Sequence, residues 1–263
     1  MTKANGSAPR ASVLAVTSGK GGVGKTFFSA NLAAALARRG ERVLVLDADL
    51  GLANLDVVLN LHPKITLHDV FTGKATLEEA ILPAPGGFSV LLAGSGLVEY
   101  SRLTPQVKEQ LVEIIDRLAP RFDRILLDTG AGISDVVLHA ISLADDVLVI
   151  ATPEPTSMTD AYATIKLLAI QQGRRAIRVV VNQVSVAGEG RTIRNQLQLV
   201  VDRFVCPHLQ GGSGAPVRLE LQGEIPTDQT VREAVQRRAL LLETFPGSPA
   251  ALALVGIAGR MLA

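Results

Sequence analysis

Gly19-Lys20-Gly21-Gly22-Val23-Gly24-Lys25-Thr26 separates a short apolar segment, which begins at Ser12, from an alanine-rich segment that follows Asn31. The stretch matches the phosphate-loop pattern G-x-x-x-x-G-K-[ST] in the strand–loop–helix setting that the pattern requires. Its glycines let backbone N–H groups turn inward around phosphate oxygens, and the next helix presents its positive end to the anion. Lys25 is expected to neutralise the β- and γ-phosphates, and Thr26 to offer its hydroxyl to magnesium. The stretch therefore predicts a nucleotide-binding α/β domain.

The rest of the chain predicts how that domain is built. Short β-branched or leucine-rich runs alternate with longer segments of helical period, which is typical of a doubly wound, mainly parallel sheet. The predicted strands cover residues 12–17, 42–47, 88–93, 124–128, 147–151, 177–182 and 217–225. The predicted helices run from the phosphate loop to Arg39, from Thr104 to Leu118, and over residues 134–143, 156–171, 190–204, 229–238 and 248–262. We predict one P-loop NTPase domain over residues 12–263 after a flexible tail, residues 1–11.

Composition excludes several classes of site and partner. The 26 Lys and Arg residues nearly balance the 25 Asp and Glu residues, which leaves no large electrostatic footprint for nucleic acid. The single cysteine, Cys206, excludes an internal disulfide and a metal cluster held by cysteines of one chain. No apolar run reaches the roughly 18 residues that cross a bilayer, and the start of the chain lacks the pattern of a secretion signal. We therefore expect a cytoplasmic protein.

Carboxylates follow two of the predicted strands. Asp47 and Asp49 end the strand over residues 42–47, and Asp128 ends the strand over residues 124–128. Ligands of open parallel sheets bind at the carboxyl ends of the strands, so these acids are expected to converge on the phosphate loop. A single Asp at such a position often does no more than cap the next turn or helix. Because all three follow apolar strands, the set favours a magnesium site beside the phosphates.

The phosphate loop carries a second lysine, Lys20, near its start. In this respect it resembles the deviant phosphate loop of the MinD/ParA family of ATPases, and the resemblance covers nearly the whole chain. It implies a SIMIBI-like fold, ATP and Mg²⁺ as cofactors, and a homodimer in the ATP state. In such a dimer Lys20 reaches the phosphates of the second copy and makes hydrolysis depend on dimerisation. Without the resemblance, Lys20 would be interpreted as a solvated loop lysine.

The resemblance also assigns roles to the other polar residues of the site. It implies that Lys20, Lys25 and Asp49 are catalytic, with Asp49 orienting the attacking water. It implies that magnesium is held by Thr26, Asp47 and Asp128. The nucleotide-binding set that it implies is Gly19, Gly21, Gly22, Val23, Gly24, Lys25, Thr26, Phe27, Asn182 and Pro226.

The base site favours ATP over GTP. By the resemblance, Asn182 reads the edge of adenine, and the loop that contains Pro226 closes over the base. No Asn-Lys-x-Asp guanine signature follows the strand that ends at Asn182, because the sequence there is Asn182-Gln183-Val184. ATP is therefore the predicted nucleotide.

Three stretches, residues 49–54, 128–134 and 152–162, resemble the FlhG (FleN) group of flagellar-number regulators within the family. The resemblance implies ATP-dependent binding to a protein of flagellar assembly, either the GTPase FlhF or a transcription or C-ring component. Members of this group often activate FlhF through an N-terminal segment built around Asp-Gln-Ala. Residues 1–12 contain nothing of that form, so the resemblance does not extend to stimulation of FlhF.

Two questions stay open at the level of sequence. Family members often end in a basic amphipathic helix that binds membrane, whereas residues 248–263 carry one charge and favour a packed final helix. Contact with the inner membrane or the cell pole is therefore undecided. The same phosphate chemistry also fits a MinD- or ParA-like positioning ATPase for division or DNA segregation, a metabolic amidoligase or kinase, and a non-hydrolysing scaffold.

Overall fold

The computed structural model describes residues 10–49, 54–94, 104–209 and 216–262, and eight strands in this part of the chain form one sheet. The strands are β1 (Ser12–Ser18), β2 (Val43–Ala48), β3 (Ile81–Pro83), β4 (Ser89–Leu91), β5 (Arg124–Ala131), β6 (Asp146–Ala151), β7 (Ala176–Val184) and β8 (Arg218–Pro226). Their order in the sheet is β3-β4-β2-β5-β1-β6-β7-β8. All neighbouring strands are parallel except β3 and β4, which are antiparallel. The prediction of a doubly wound, mainly parallel sheet is confirmed.

Helices cover both faces of the sheet. They are α1 (Lys25–Ala37), α2 (Leu55–Leu59), α3 (Leu67–Phe71), α4 (Leu77–Ala80), α5 (Pro105–Leu118), α6 (Asp135–Ser142), α7 (Pro155–Gln171), α8 (Glu189–Phe204), α9 (Gln229–Gln236), α10 (Leu241–Thr244) and α11 (Pro249–Arg260). A 3₁₀ turn, Cys206–His208, follows α8. Apolar residues of α1, α2, α10 and α11 form one core, and those of α3 to α8 form a second core on the other face.

Strand β1 shows why the sheet is buried on both faces. Its side chains alternate, so Val13 and Ala15 join the core beneath α5 to α8, whereas Leu14 and Val16 join the core beneath α1 and α11. Alternation of side chains along a strand makes a central parallel strand apolar throughout. Because β1 lies between β5 and β6, the loop that leaves it is placed at the centre of the carboxyl edge of the sheet.

Helix α5 has the boundaries and the buried face that its sequence predicts. The hydroxyl of Thr104 accepts a hydrogen bond from the N–H of Val107 at 3.3 Å, and Pro105 occupies the first turn. This combination of cap and proline is a helix start signal. The predicted apolar face is buried along its whole length, at Val107, Leu111, Ile114, Ile115 and Leu118.

The sequence prediction failed for several short elements. It contained no β3, a three-residue edge strand, and none of the helices α2, α3, α4 and α10, each four or five residues long. Hydrophobic periodicity needs a longer window than these segments provide, and their burial comes from packing against the sheet. The predicted strand over residues 88–93 is shorter, at Ser89–Leu91, and α1 ends at Ala37 rather than at Arg39. Of the predicted flexible tail, residues 1–11, residues 1–9 lie outside the described residues, whereas Ala11 is buried and donates a hydrogen bond to the carbonyl of Ala119 at 2.9 Å.

The final helix, α11, packs into the domain. Leu254 and Ile257 are fully buried in the core shared with α1, and Arg39 donates a hydrogen bond to the carbonyl of Val255 at 3.2 Å. These contacts support the prediction of a packed final helix. Among the described residues, no helix is long and apolar enough to cross a lipid bilayer.

Candidate functional site

The phosphate loop ends in a glycine that the surrounding structure requires. Gly24 has a φ of 95°, in the left-handed region, and a Cβ atom there would lie 2.7 Å from Nδ2 of Asn182. Side chains other than glycine are disfavoured on both counts. As the N-cap of α1, Gly24 provides no side chain to occupy the first N–H groups of the helix. Those donors are therefore available to an anion at the positive end of the helix dipole.

The other predicted loop residues lie around this helix start. Gly19 packs against the backbone of Asp160 in α7, at a distance that leaves no room for a Cβ atom. Gly21 and Gly22 are exposed at the rim of the loop. Val23 and Phe27 are buried in the core beneath α1, so their side chains anchor the loop and their backbone is what faces a ligand.

Lys25 lies inside the loop among acids. Its Nζ donates to Oγ of Ser18 at 3.0 Å, and that hydroxyl in turn donates to the carbonyl of Lys20 at 2.7 Å. Burial lowers the pKa of Lys25, while the charges of Asp128 and Asp49 act in the opposite direction. A lysine held at the base of the loop with acids nearby is suited to bind phosphate oxygens.

Asp47 and Asp128 are adjacent in the sheet, because β2 and β5 pair these two residues directly. Their side chains are 1% and 3% exposed. Burial raises the pKa of Asp47 well above its ordinary value, and the charge of Asp128 raises it further. Burial raises the pKa of Asp128 to about 6, although hydrogen bonds from Thr26 and Ser29 and the charge of Lys25 oppose the shift. Two buried acids side by side make a site that a cation would stabilise.

The pair fits magnesium in its donor chemistry. Oδ1 of Asp47 accepts from the N–H of Asp49 at 3.1 Å, whereas Oδ2 is buried without a hydrogen-bond partner among the described residues. Buried polar atoms rarely lack a partner, which points to a missing ion or water. The carboxylates of Asp47 and Asp128 and the hydroxyl of Thr26 are oxygen donors of the kind that Mg²⁺ prefers.

Asp49 lies against a glycine of β5. A Cβ atom at Gly130 would be 3.3 Å from Oδ1 of Asp49, closer than most Cβ contacts in proteins. Gly130 therefore leaves the space that the carboxylate of Asp49 occupies. The sequence provided no physical reason for a glycine here, since the two residues are brought together by the pairing of β2 with β5. Residues 50–53 of the same segment lie outside the described residues.

The second lysine of the loop lies in a different environment from the first. Nζ of Lys20 is 2.5 Å from Oε2 of Glu154 and 3.0 Å from Oγ1 of Thr156. The side chains of Lys20 and Glu154 are 38% and 60% exposed. Glu154 and Thr156 begin α7, beside the loop, and sequence analysis did not identify either as a site residue. Lys25 is thus enclosed by the loop, while Lys20 lies at its exposed rim.

Asn182 lies near the end of β7, and Pro226 ends the neighbouring strand β8. Nδ2 of Asn182 donates to the carbonyl of Val23 at 2.8 Å, and its Oδ1 accepts from the N–H of Gln183 at 2.9 Å. The amide therefore ties the end of β7 to the phosphate loop. Pro226 pairs with Val184 at the end of β8, on the same edge of the sheet. Recognition of adenine by these two residues stays a prediction.

Known proteins are similar to this chain in sequence. Residues 14–241 match the model of the CobQ/CobB/MinD/ParA nucleotide-binding domain. The chain is 43% identical over 259 residues to the antiactivator FleN of Pseudomonas aeruginosa, covering 98% of this chain and 89% of FleN. It is 31% identical over 253 residues to the flagellum site-determining protein YlxH of Helicobacter pylori, covering 95% and 81%.

A solved structure shows the same fold. The septum site-determining protein MinD of Pyrococcus horikoshii, complexed with Mg-ADP, superimposes with a TM-score of 0.77. The two chains share 27% sequence identity, and the match covers 95% of this chain and 96% of the other.

Proposed function

Because the chain belongs to the CobQ/CobB/MinD/ParA nucleotide-binding family, we propose that it is an ATP-dependent switch that dimerises, hydrolyses ATP and regulates flagellar number or placement through a protein partner. The MinD/ParA members of the family are ATPases. The phosphate loop, the acids at the ends of β2 and β5, and the relative with bound Mg-ADP support Mg-ATP as the ligand.

The dimer is supported by the contrast between the two lysines of the phosphate loop. Lys25 is enclosed and bonds to Ser18 within the loop, so it serves the nucleotide of its own chain. Lys20 lies at the exposed rim, where it contacts Glu154 and Thr156 through a side chain that solvent reaches. We propose that this cation acts on the phosphates of a second copy, as an arginine finger does. Hydrolysis then requires two copies.

The magnesium site would be formed by Thr26, Asp47 and Asp128. When bound, the metal supplies positive charge that neutralises the phosphates and polarises the bond to be broken. Lys25 binds phosphate oxygens from within the loop, and the N–H groups of α1 add further donors. Asp49 follows β2 and lies against Gly130, and we propose that it orients the attacking water.

Two similar proteins support a role in regulating flagellar number or placement. The chain is similar along nearly its full length to proteins named antiactivator and flagellum site-determining protein. We propose that the ATP dimer binds a protein of flagellar assembly, either FlhF or a component of transcription or of the C-ring. In a flagellated bacterium that lacks its own regulator of this type, the wild-type chain is then expected to lower the number of flagella per cell, and Lys25→Ala, which lacks the lysine that binds the phosphates, is not.

Size-exclusion chromatography with light scattering tests the switch itself. Wild type is expected to be a monomer with Mg-ADP. Asp49→Ala removes the carboxylate that orients water, so it is expected to accumulate as a dimer with Mg-ATP. Lys20→Ala is expected to form a dimer that does not hydrolyse ATP. A monomer in every nucleotide state of Asp49→Ala would contradict the proposal.

A MinD-like positioning role is the second candidate, since the solved relative with bound Mg-ADP is a septum site-determining protein. In that case the partner would be a membrane or a division protein. Vesicles of anionic lipid would then increase ATP turnover, or the ATP dimer would sediment with them. Neither effect is expected of a regulator of flagellar number. A metabolic enzyme would instead transfer phosphate to a small acceptor, and its turnover would not depend on Lys20 of a second copy.

A further inference from the structure

Two hydroxyl groups of α1 contact the buried carboxylate at the end of β5. Oγ of Ser29 donates to Oδ1 of Asp128 at 2.9 Å, and the side chain of Thr26 is a second hydrogen-bond partner of Asp128. Ser29 is fully buried and Asp128 nearly so. Thr26 and Ser29 are three positions apart, which places them on one face of the helix. The helix that begins at the phosphate loop therefore holds this acid directly.

The hydroxyls of Thr26 and Ser29 differ in their relation to the proposed magnesium site. In the proposed function Thr26 gives an oxygen lone pair to the metal and keeps its O–H as a donor to Asp128, so its position is tied to the ion. Ser29 lies one turn further along α1, away from the loop, and is not assigned to the metal. Its hydrogen bond serves to fix the plane of the Asp128 carboxylate.

A buried carboxylate needs such a partner. Asp128 is nearly fully buried, so water is poorly placed to replace a lost hydrogen bond, and an unsatisfied buried acceptor is costly. Without Ser29 the carboxylate would rotate towards any remaining donor, and it would then present its oxygens poorly to a metal. Hydrogen bonds to ligating carboxylates typically change metal affinity or activity by roughly 10–100-fold.

We propose that Ser29 is a positioning residue of the magnesium site, which orients Asp128 through a hydrogen bond from one turn beyond the phosphate loop. This proposal rests on the proposed function, because it assumes that Asp128 serves a magnesium nucleotide. Ser29 touches neither nucleotide nor metal in this role. Its effect is therefore expected on the magnesium dependence of nucleotide binding and not on nucleotide binding as such.

The test measures the affinity of a fluorescently labelled ADP with excess Mg²⁺ and with EDTA. The ratio of the two affinities reports what magnesium contributes. Ser29→Ala is expected to lower this ratio about tenfold while leaving the affinity in EDTA unchanged. Ser29→Thr keeps the hydroxyl and is expected to retain most of the ratio. If Ser29→Ala does not fold, Ser29→Cys replaces it, because a thiol is a weak donor of similar size.

A matched control lies in the same helix. Asn31 is also fully buried and hydrogen-bonded, to the carbonyl of Phe27 at 2.9 Å and to the N–H of Leu242 at 3.2 Å, but it faces α10. Asn31→Ala is expected to lower the unfolding temperature and to leave the ratio unchanged. Because Asn31→Ala and Ser29→Ala each remove a buried hydrogen bond from α1, the comparison separates loss of stability from loss of positioning.

Other results would overturn the role of Ser29 or the proposed function. A wild-type ratio in Ser29→Ala would overturn the proposal, and so would an equal loss of affinity with Mg²⁺ and with EDTA. If wild type itself showed no effect of magnesium, the proposed function would fail and the role of Ser29 with it. A normal magnesium effect in wild type and in Ser29→Ala would overturn the role of Ser29 alone.

Discussion

Nζ of Lys20 lies 2.5 Å from Oε2 of Glu154, so the second lysine of the phosphate loop is paired with a residue 134 positions later in the same chain. Both side chains are substantially exposed, and an exposed ion pair of this kind is worth at most about 1 kcal/mol. In the proposed dimer, a cation that acts on the phosphates bound to the second copy would accelerate hydrolysis by roughly 10³–10⁵-fold. The pair is therefore weak enough for Lys20 to leave Glu154 when a dimer forms.

The end of the phosphate loop is expected to tolerate only glycine. Gly24→Ala places a side chain on a φ of 95° and 2.7 Å from Nδ2 of Asn182, so we expect it to lower the free energy of unfolding by about 2 kcal/mol. Gly21→Ala is the matched control, because a Cβ there meets nothing within 4 Å, and its effect is expected to stay within about 0.5 kcal/mol. Urea unfolding without nucleotide measures both, and equal losses would contradict this explanation.

Gly130 is expected to matter for turnover and not for binding. Gly130→Ala puts a methyl group 3.3 Å from Oδ1 of Asp49 and displaces that carboxylate, so we expect kcat to fall about tenfold. Affinity for Mg-ADP is expected to stay within about threefold, since Asp49 is not assigned to the metal. Gly256→Ala in α11 is the control: its Cβ would lie 3.7 Å from Nη1 of Arg260, an ordinary contact, and its turnover should equal that of wild type. Unchanged kcat in Gly130→Ala would show that Asp49 does not depend on this space.

The buried acids make the nucleotide-free protein sensitive to pH. Asp128 has a pKa of about 6 when folded and an ordinary value of 3.8, so the folded state binds its proton more tightly than the unfolded state. The resulting stability is fully present below the ordinary value and is lost as the pH rises through about 6, by up to about 3 kcal/mol.

Asp128→Asn removes this titration. Urea unfolding at pH 4.5 and pH 7.5, about the two ends of the window, is expected to show a smaller loss of stability in Asp128→Asn than in wild type. The variant is also expected to lose the effect of Mg²⁺ on nucleotide affinity, because an amide is a poor magnesium ligand. The pH explanation fails if the two proteins lose equal stability between these values.

Helix α11 is expected to be part of the folded core. Leu254 is fully buried between α11 and the sheet, so Leu254→Ala is expected to cost about 3 kcal/mol of unfolding free energy. Leu252 in the same helix is 60% exposed, and Leu252→Ala is expected to cost less than about 0.5 kcal/mol. If α11 were a detachable membrane helix, the two variants would have similar and small effects on unfolding of the domain.

The sequence predicted the parts of the fold that local pattern determines. The phosphate loop between β1 and α1 has a fixed spacing, and the five buried positions of α5 follow a helical period over about three turns. The long strands are recognisable because parallel strands buried on both faces are apolar throughout. Helices α2, α3, α4 and α10 carry no comparable signal, since four or five residues span little more than one turn.

The contacts within the site are less accessible from sequence. Ser29 and Asp128 are 99 positions apart, and Asn182 and Val23 are 159 apart. No local pattern links such residues, because the order of strands in the sheet decides which of them meet. Thr26 and Ser29 share a helix face, but Ser29 was not predicted as a site residue, because the acid opposite it is set by the pairing of β1 with β5.

The proposal that Lys20 acts on the nucleotide of a second copy is tested most directly by mixing two inactive variants. Lys20→Ala retains its own Asp49, and Asp49→Ala retains the Lys20 that its partner needs. In an equal mixture, half of the dimers contain one complete site, so ATP turnover is expected to recover to about a quarter of the wild-type value. If Lys20 acted within its own chain, every site in the mixture would lack one of the two groups, and turnover would stay at the level of the separate variants.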